Sequence, residues 1–240
     1  VQLYSVRDAV QADLAGAVAR LAEIGFDQVE PYGFHERTAD YAAAFKATGV
    51  SAPSGHAAVI DSTSPEAVFE AANALRITTV IDPFVPSERW RTADDVARIA
   101  ERVNALSALA HEYVLTFGYH NHHWELENTV EGRSVLELFV DQLEPAVVLE
   151  VDTFWATVGG ADTPALLERL GERVQFIHVK DGARSTDTSR QQPAGRGDID
   201  VAGILAAAPQ ALRVVEFDAY AGDVFEGISD SLAWLRENDE

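Results

Sequence analysis

Eight short runs rich in β-branched and aromatic residues, each followed by a helical pattern, set the strongest constraint on this 240-residue chain. The runs fall at 1–6, 26–32, 50–56, 77–83, 114–122, 146–152, 174–181 and 212–218. Between them, 12–24 carries Leu14, Val18, Leu21 and Ala22 at helical spacing, and 94–111 does the same with Val96, Ile99, Val103, Leu106 and Ala110. Ser64-Pro65-Glu66, Thr92-Ala93-Asp94-Asp95 and Asp162-Thr163-Pro164 read as helix starts, with a cap and then a first-turn proline or acids at the positive end. A last helix is expected over 224–236. Strict β/α alternation predicts a parallel sheet. Eight units of roughly 30 residues predict an α/β fold, a (β/α)8 TIM barrel forming a single domain over 1–240, with a doubly wound sheet as runner-up. The longest irregular stretch, 182–199, follows a strand and is expected as a loop over the C-terminal mouth.

Composition narrows the function. The chain has 39 acidic and 18 basic side chains, a formal net charge of −21, no cysteine and no methionine. Without cysteine there is no disulfide framework, thiolate metal site or cysteine nucleophile. A charge of this sign repels polyphosphate, which argues against nucleic acid as a partner. No apolar run approaches the roughly 18 residues of a membrane span, and the N-terminus lacks a signal pattern, so no membrane partner and a cytoplasmic location are expected. Only Lys46 and Lys180 are lysines. Acid excess with lysine depletion fits either a high-salt proteome or an arginine- and alanine-rich genome. The absence of an initiator methionine suggests that the sequence is not the whole translated product.

Barrel strands should be almost wholly apolar, so polar residues near their C-terminal ends require explanation. Glu30, His56, His120, His122, Glu150, Asp152, His178, Lys180, Asp181, Glu216 and Asp218 all lie there. Period-two alternation puts His178 with Lys180, Glu150 with Asp152, Glu216 with Asp218, and His120 with His122 on shared faces. A lone carboxylate at a strand end is ordinarily a cap or an ion-pair partner, but successive strands doing the same require a counter-charge. Lys180 alone cannot supply it. A divalent cation with carboxylate and imidazole ligands can, and sulfur-free donors suit Mn²⁺, Mg²⁺, Co²⁺ or Zn²⁺.

In order and spacing, several strings resemble the xylose-isomerase-like TIM barrels, the sugar phosphate isomerase/epimerase family. They are Val1-Gln2-Leu3-Tyr4-Ser5-Val6-Arg7-Asp8, Val29-Glu30-Pro31-Tyr32, Gly55-His56, Gly118-Tyr119-His120-Asn121-His122-His123-Trp124-Glu125, Glu150-Val151-Asp152-Thr153-Phe154-Trp155, Ile177-His178-Val179-Lys180-Asp181, Gly195-Arg196-Gly197-Asp198-Ile199-Asp200 and Val215-Glu216-Phe217. The resemblance spans nearly the whole chain. It implies one divalent metal ion, Mn²⁺ first, held by Asp152, His178 and Glu216. A fourth ligand is expected from the fifth strand, where the family's glutamate is replaced by the His-Asn-His string. Glu125 is favoured there, with His120 or His122 as alternatives.

The chemistry so implied is keto–enol chemistry on a small-molecule sugar, keto-sugar or cyclitol. A metal polarises the carbonyl, a base removes the neighbouring proton, and the resulting enediolate is reprotonated. Glu216 is expected as ligand and base, His120 or His122 as the second acid/base, and Lys180 as the group that polarises a sugar oxygen. Glu30, His56, Trp155, Asp181 and Arg196 are expected to bind substrate. Trp155 reads equally as plain core, Arg196 equally as a balance for neighbouring acids, and Glu150 as a barrel residue with a basic or hydroxyl partner. An isomerase or epimerase is first choice. A dehydratase or lyase is second, since the His-Asn-His variant also resembles inosose dehydratases and subunits cleaving oxidised glycosides. A three-zinc DNA endonuclease on the same barrel needs more ligands and a basic face. A non-catalytic sugar-binding member would have lost the ligands that are present here. A homodimer is open, as family members often form one.

Overall fold

A computed structural model describes residues 1–239. Among them, a parallel sheet runs in the order β1 (Ser54–His56), β2 (Thr79–Asp82), β3 (Thr116–His120), β4 (Val148–Asp152), β5 (Val174–Val179) and β6 (Leu212–Val215). Two further strand positions close the cylinder through single parallel bridges, Gln2 with Glu30, Gln28 with Ser51 and Tyr32 with His56. Gln2 N donates to Val215 O at 3.0 Å, joining the first position to the last strand. The α/β barrel expected from the alternation is therefore the fold, and the doubly wound sheet is not. No helix among the described residues is long and apolar enough to cross a membrane.

The expected strands are longer than the observed ones, and each shortening has a local cause. In 1–6 the chain leaves the sheet after its first residues. The Gln2 side chain accepts from Tyr4 N, and a 3-10 turn at Leu3–Val6 leads into a helix at Arg7–Ala12. In 26–32 the pairing is reduced to single bridges, with Pro31 inside the run removing one donor. The run 114–122 starts late because Val114 ends the preceding helix, Ala93–Glu112, and it ends early because a helical turn begins at Trp124. Glu216 and Asp218 lie just beyond β6.

Helix starts follow the capping logic. Thr92 and Asp95 form a reciprocal capping box, and the Asp162 and Asp223 side chains accept from first-turn amides. Ser64 precedes the helix Pro65–Leu75 but makes no side-chain cap. The loop 182–199 begins as a two-residue ribbon, Asp181–Gly182 against Gln191–Gln192. The buried Asp181 carboxylate then pins it, accepting from Gly182 N, Gly197 N and Ile199 N at 2.7, 2.9 and 3.1 Å. Gly197 is obligatory here, because a Cβ would fall 2.1 Å from Gly182 N.

Candidate metal centre at the barrel mouth

Alternation along the strands aims one polar side chain after another inward at the C-terminal end. His120 faces Glu150 across the β3–β4 pair, Asp152 faces His178 across β4–β5, and His178 faces Val214 across β5–β6. The result is two polar layers sharing one imidazole.

The lower layer is built on Glu150. Its Oε2 lies 2.5 Å from His56 Nε2, 3.1 Å from His120 Nδ1 and 3.1 Å from His178 Nε2. Glu30 adds a second carboxylate, 2.9 Å from His178 Nε2 and 3.2 Å from His56 Nε2, and accepts from Gln2 and Ser54. The upper layer holds Glu216, whose Oε2 lies 2.7 Å from His178 Nδ1, together with Asp152 and Lys180. Lys180 Nζ stands 2.8, 2.5 and 2.9 Å from the carboxylates of Asp152, Glu216 and Asp218. Apart from the part-exposed Asp218, every one of these side chains is buried.

Such crowding fixes the charge states. Burial works against a charged His178, but Glu150 and Glu216, one at each ring nitrogen, outweigh it and hold its pKa well above the ordinary value. Burial likewise works against a charged Lys180, yet Asp152, Asp218 and Glu216 hold it firmly protonated. Glu216 is ionised well below the usual carboxylate range. Desolvation opposes this and is overcome by Lys180 and His178. Burial dominates at His120 and His122 and lowers both, leaving neutral imidazoles. It also dominates at Asp152, which is raised despite Lys180.

Two ligand sets emerge from this geometry. Asp152, His178 and Glu216 bring one ligand atom each within 4.8 Å of one another, and so do His56, His120, Glu150 and His178. The first set fits a divalent ion. Its donors are hard oxygens and an imidazole nitrogen, and the buried Asp152 Oδ2 receives no directed hydrogen bond although the Lys180 ammonium lies beside it.

The structure brings together Glu30, His56, His120, Asp152, His178, Lys180 and Glu216. A cavity of about 480 Å³ opens above them, lined by His56, His120, His122, Lys180, Glu216 and Asp218, with Tyr4, Tyr32 and Phe84 at its rim.

Other expectations are corrected. Glu125 is not brought to the ligand cluster. The turn Trp124–Glu127 swings it back, so that its carboxylate accepts from Tyr119 Oη at 2.7 Å and His122 N at 2.9 Å, and burial pushes its pKa up to about 8. Asp181 is consumed by the three loop amides and does not face the cavity. Arg196 points outward and pairs with Asp230 at 2.8 Å. Trp155 is buried core, its ring 5.8 Å from Lys180 Nζ.

Glu150, expected as a barrel residue with a basic or hydroxyl partner, has three imidazoles around it, and sequence reading missed Asp82. Glu150 carried a usable signal, the face it shares with Asp152. Asp82, buried at the end of β2, accepts from Val59 N, Ile60 N and Phe84 N at 2.6, 2.7 and 3.1 Å and so fixes the rim backbone.

The fold matches known barrels along its length. A sugar phosphate isomerase/epimerase from Parabacteroides distasonis superposes with a TM-score of 0.83 at 22% identity, over 98% of this chain and 92% of that one. The IolI protein with a bound zinc atom gives a TM-score of 0.76 at 14% identity, over 98% and 95%. The 3-keto-D-glucoside 4-epimerase YcjR from E. coli gives 0.70 at 17% identity, over 94% of each chain. No curated protein sequence matches the chain. The model of one family does match residues 18–238, and by it the chain belongs to the xylose isomerase-like TIM barrel family.

Proposed function

We propose that this protein is a divalent-metal-dependent isomerase or epimerase acting on a sugar, keto-sugar or cyclitol, with Mn²⁺ as the preferred ion. The observation that carries the reading is the convergence of Asp152, His178 and Glu216, the last of which lines a cavity together with Lys180 and two neutral imidazoles. The similar barrels, which include an epimerase and a zinc-holding protein, support it as analogy.

Asp152, His178 and Glu216 would hold a divalent ion, which when bound would supply the Lewis acidity that polarises a carbonyl and acidifies the carbon beside it. Glu216 supplies the base, because Lys180 and His178 keep it ionised against the cost of burial. Lys180 remains an ammonium and donates to the oxygen on which negative charge grows. His120 and His122 line the same cavity as neutral rings, able to take up or release a proton at the opposite side of the planar intermediate. The cavity walls exclude most water from these groups, as their burial requires.

The test is solvent deuterium exchange into a panel of ketoses and keto-sugars with Mn²⁺-loaded protein. Exchange at the carbon beside the carbonyl is expected, and Glu216→Gln should abolish it. Exchange undiminished in Glu216→Gln removes Glu216 as the base. Expulsion of a leaving group in place of simple exchange assigns the protein to the dehydratases or lyases.

A further inference from the structure

The structure assigns this cavity to an uncharged sugar, one bearing neither phosphate nor carboxylate, whose attached ring rests on the aromatic rim formed by Phe84 and Tyr4. The inference rests on the cavity being the substrate site of the proposed function and narrows what enters it.

Every device a barrel ordinarily offers to a phosphate is already spent. The permanent cation on the wall is Lys180, and it is shared among three carboxylates within 2.9 Å. No arginine lines the cavity among the described residues. Arg196 pairs outward with Asp230, Arg37 pairs with Asp40, and Arg7 lies over the Tyr4 ring while donating to Tyr4 O.

Backbone anion sites are filled as well. Barrels bind phosphate with loops following the last two strands and with a helix N-terminus. Here the glycine-bearing loop after β5 turns three amides onto the Asp181 carboxylate, and the helix after β6 spends its first amides on Asp223. Beside Glu36, Glu216 and Asp218 on the wall, a phosphate dianion would find no free side-chain cation and no free donor cluster.

What the rim offers is flat apolar surface. Phe84 is 48% exposed and Tyr4 42%, unusual for residues of this size in so well-packed a barrel. Neither is loose. Phe84 packs edge-on against His122 and Trp124 with centroids 5.6 Å away in both cases, and His122 stacks flat on Trp124 at 4.3 Å. The Asp82 carboxylate holds the Phe84 amide. Tyr4 stands edge-on to Tyr32 at 5.4 Å. Between rim and floor, His122 is a neutral ring whose Nδ1 has no partner, suited to a hydroxyl and not to an anion. Polar, uncharged groups below fixed aromatic faces suit a sugar ring carrying a second ring or an aryl group.

Binding to the Mn²⁺-loaded protein, measured by tryptophan fluorescence titration, tests this with methyl β-D-glucopyranoside, phenyl β-D-glucopyranoside and D-glucose 6-phosphate. The phenyl glycoside should bind about tenfold more tightly than the methyl glycoside, the worth of one well-formed aromatic contact. Glucose 6-phosphate should bind more weakly than either. Phe84→Ala should reduce the phenyl preference to about twofold or less. Glucose 6-phosphate binding as tightly as the neutral probes overturns the proposal. So does a phenyl preference that survives in both Phe84→Ala and Tyr4→Ala, or the absence of saturable binding by either neutral glycoside. The outcome is separable from that of the catalytic reading. Exchange confined to phosphorylated ketoses would leave the enolisation intact and sink this inference, whereas a neutral-ligand preference without any exchange would do the reverse.

Discussion

Replacing Lys180 by methionine keeps the stem of the side chain and deletes the one permanent cation in the upper layer. Three carboxylates lose a neighbour that stands 2.5 to 2.9 Å away, on a side chain only 1% exposed. Removing one member of a buried ion pair costs about 3–5 kcal/mol, because the partner charge is left desolvated and unmatched. Asp152, already raised by burial, relieves part of this by taking up a proton, so the lower end, about 3 kcal/mol, is expected near neutrality. For a chain of this size each kcal/mol moves the melting temperature by roughly 2–4 °C, so Lys180→Met should melt about 6–12 °C below the parent in chelator.

The loss should be conditional. A divalent ion at a concentration of about 100 times its Kd stabilises by about 2.7 kcal/mol, and in the variant it meets carboxylates no longer held by the ammonium, so saturating Mn²⁺ should close most of the gap. Acid should close it too. Glu216 is depressed in the folded parent, a stabilising contribution present above its unfolded pKa and lost as pH falls through its folded one. Thermal melts in chelator, in Mn²⁺ and across pH 4–8 provide the measurement. Equal melting temperatures in chelator would refute the account of the layer as a charge cluster balanced by Lys180. A gap indifferent to Mn²⁺ would refute the assignment of these carboxylates to a metal.

Two further outcomes follow from features away from the cluster. Val114 closes the helix Ala93–Glu112 with φ 60°, while Val114 N donates to His111 O and Leu115 N to Ala110 O, a Schellman cap with a β-branched residue where glycine belongs. Val114 is 90% exposed, so Val114→Gly removes strain without removing packing and should stabilise by about 1 kcal/mol, read as a rise of roughly 2–4 °C in melting temperature. Asp82 is raised to about 6 by burial, against the pull of three amides, so the folded state holds its proton more tightly than the unfolded state does. Its contribution is therefore complete below the unfolded value and is lost as pH rises through about 6. Relative to Asp82→Asn, the parent should lose about 2 kcal/mol between pH 4 and 6.5 in denaturant titrations, and a flat difference would contradict the shift.

The barrel was legible in the sequence because its signal is redundant. Eight apolar runs at similar spacing state the same architecture many times, and the loss of two runs to single bridges leaves it unchanged. The convergence of Asp152, His178 and Glu216 was legible for a different reason: charges at the ends of successive apolar strands require a counter-charge, and the family resemblance singled out these three. Glu150 obeys the same alternation one step earlier, but nothing in a linear string says that three imidazoles from other strands will meet its Oε2. Glu125 shows the opposite limit. Its spacing from His122 permits ligation, and the direction in which the turn Trp124–Glu127 carries it is decided by Tyr119, a partner six residues back on the preceding strand. Asp181 and Arg196 sit in a string that looks like a sugar-contacting loop, and only the folded loop shows that one closes upon itself and the other faces Asp230.

His178 touches both layers, with Nε2 toward Glu150 and Glu30 and Nδ1 toward Glu216. One ring therefore makes the barrel floor and its mouth a single thermodynamic unit. Glu150 and Glu216 are coupled through one protonated ring that donates an N–H to each, so that removing either carboxylate alters the proton affinity on which the other depends. Energies assigned to these carboxylates one at a time will not sum. Glu150, which does not itself line the cavity, is thereby coupled through one ring to Glu216, which does.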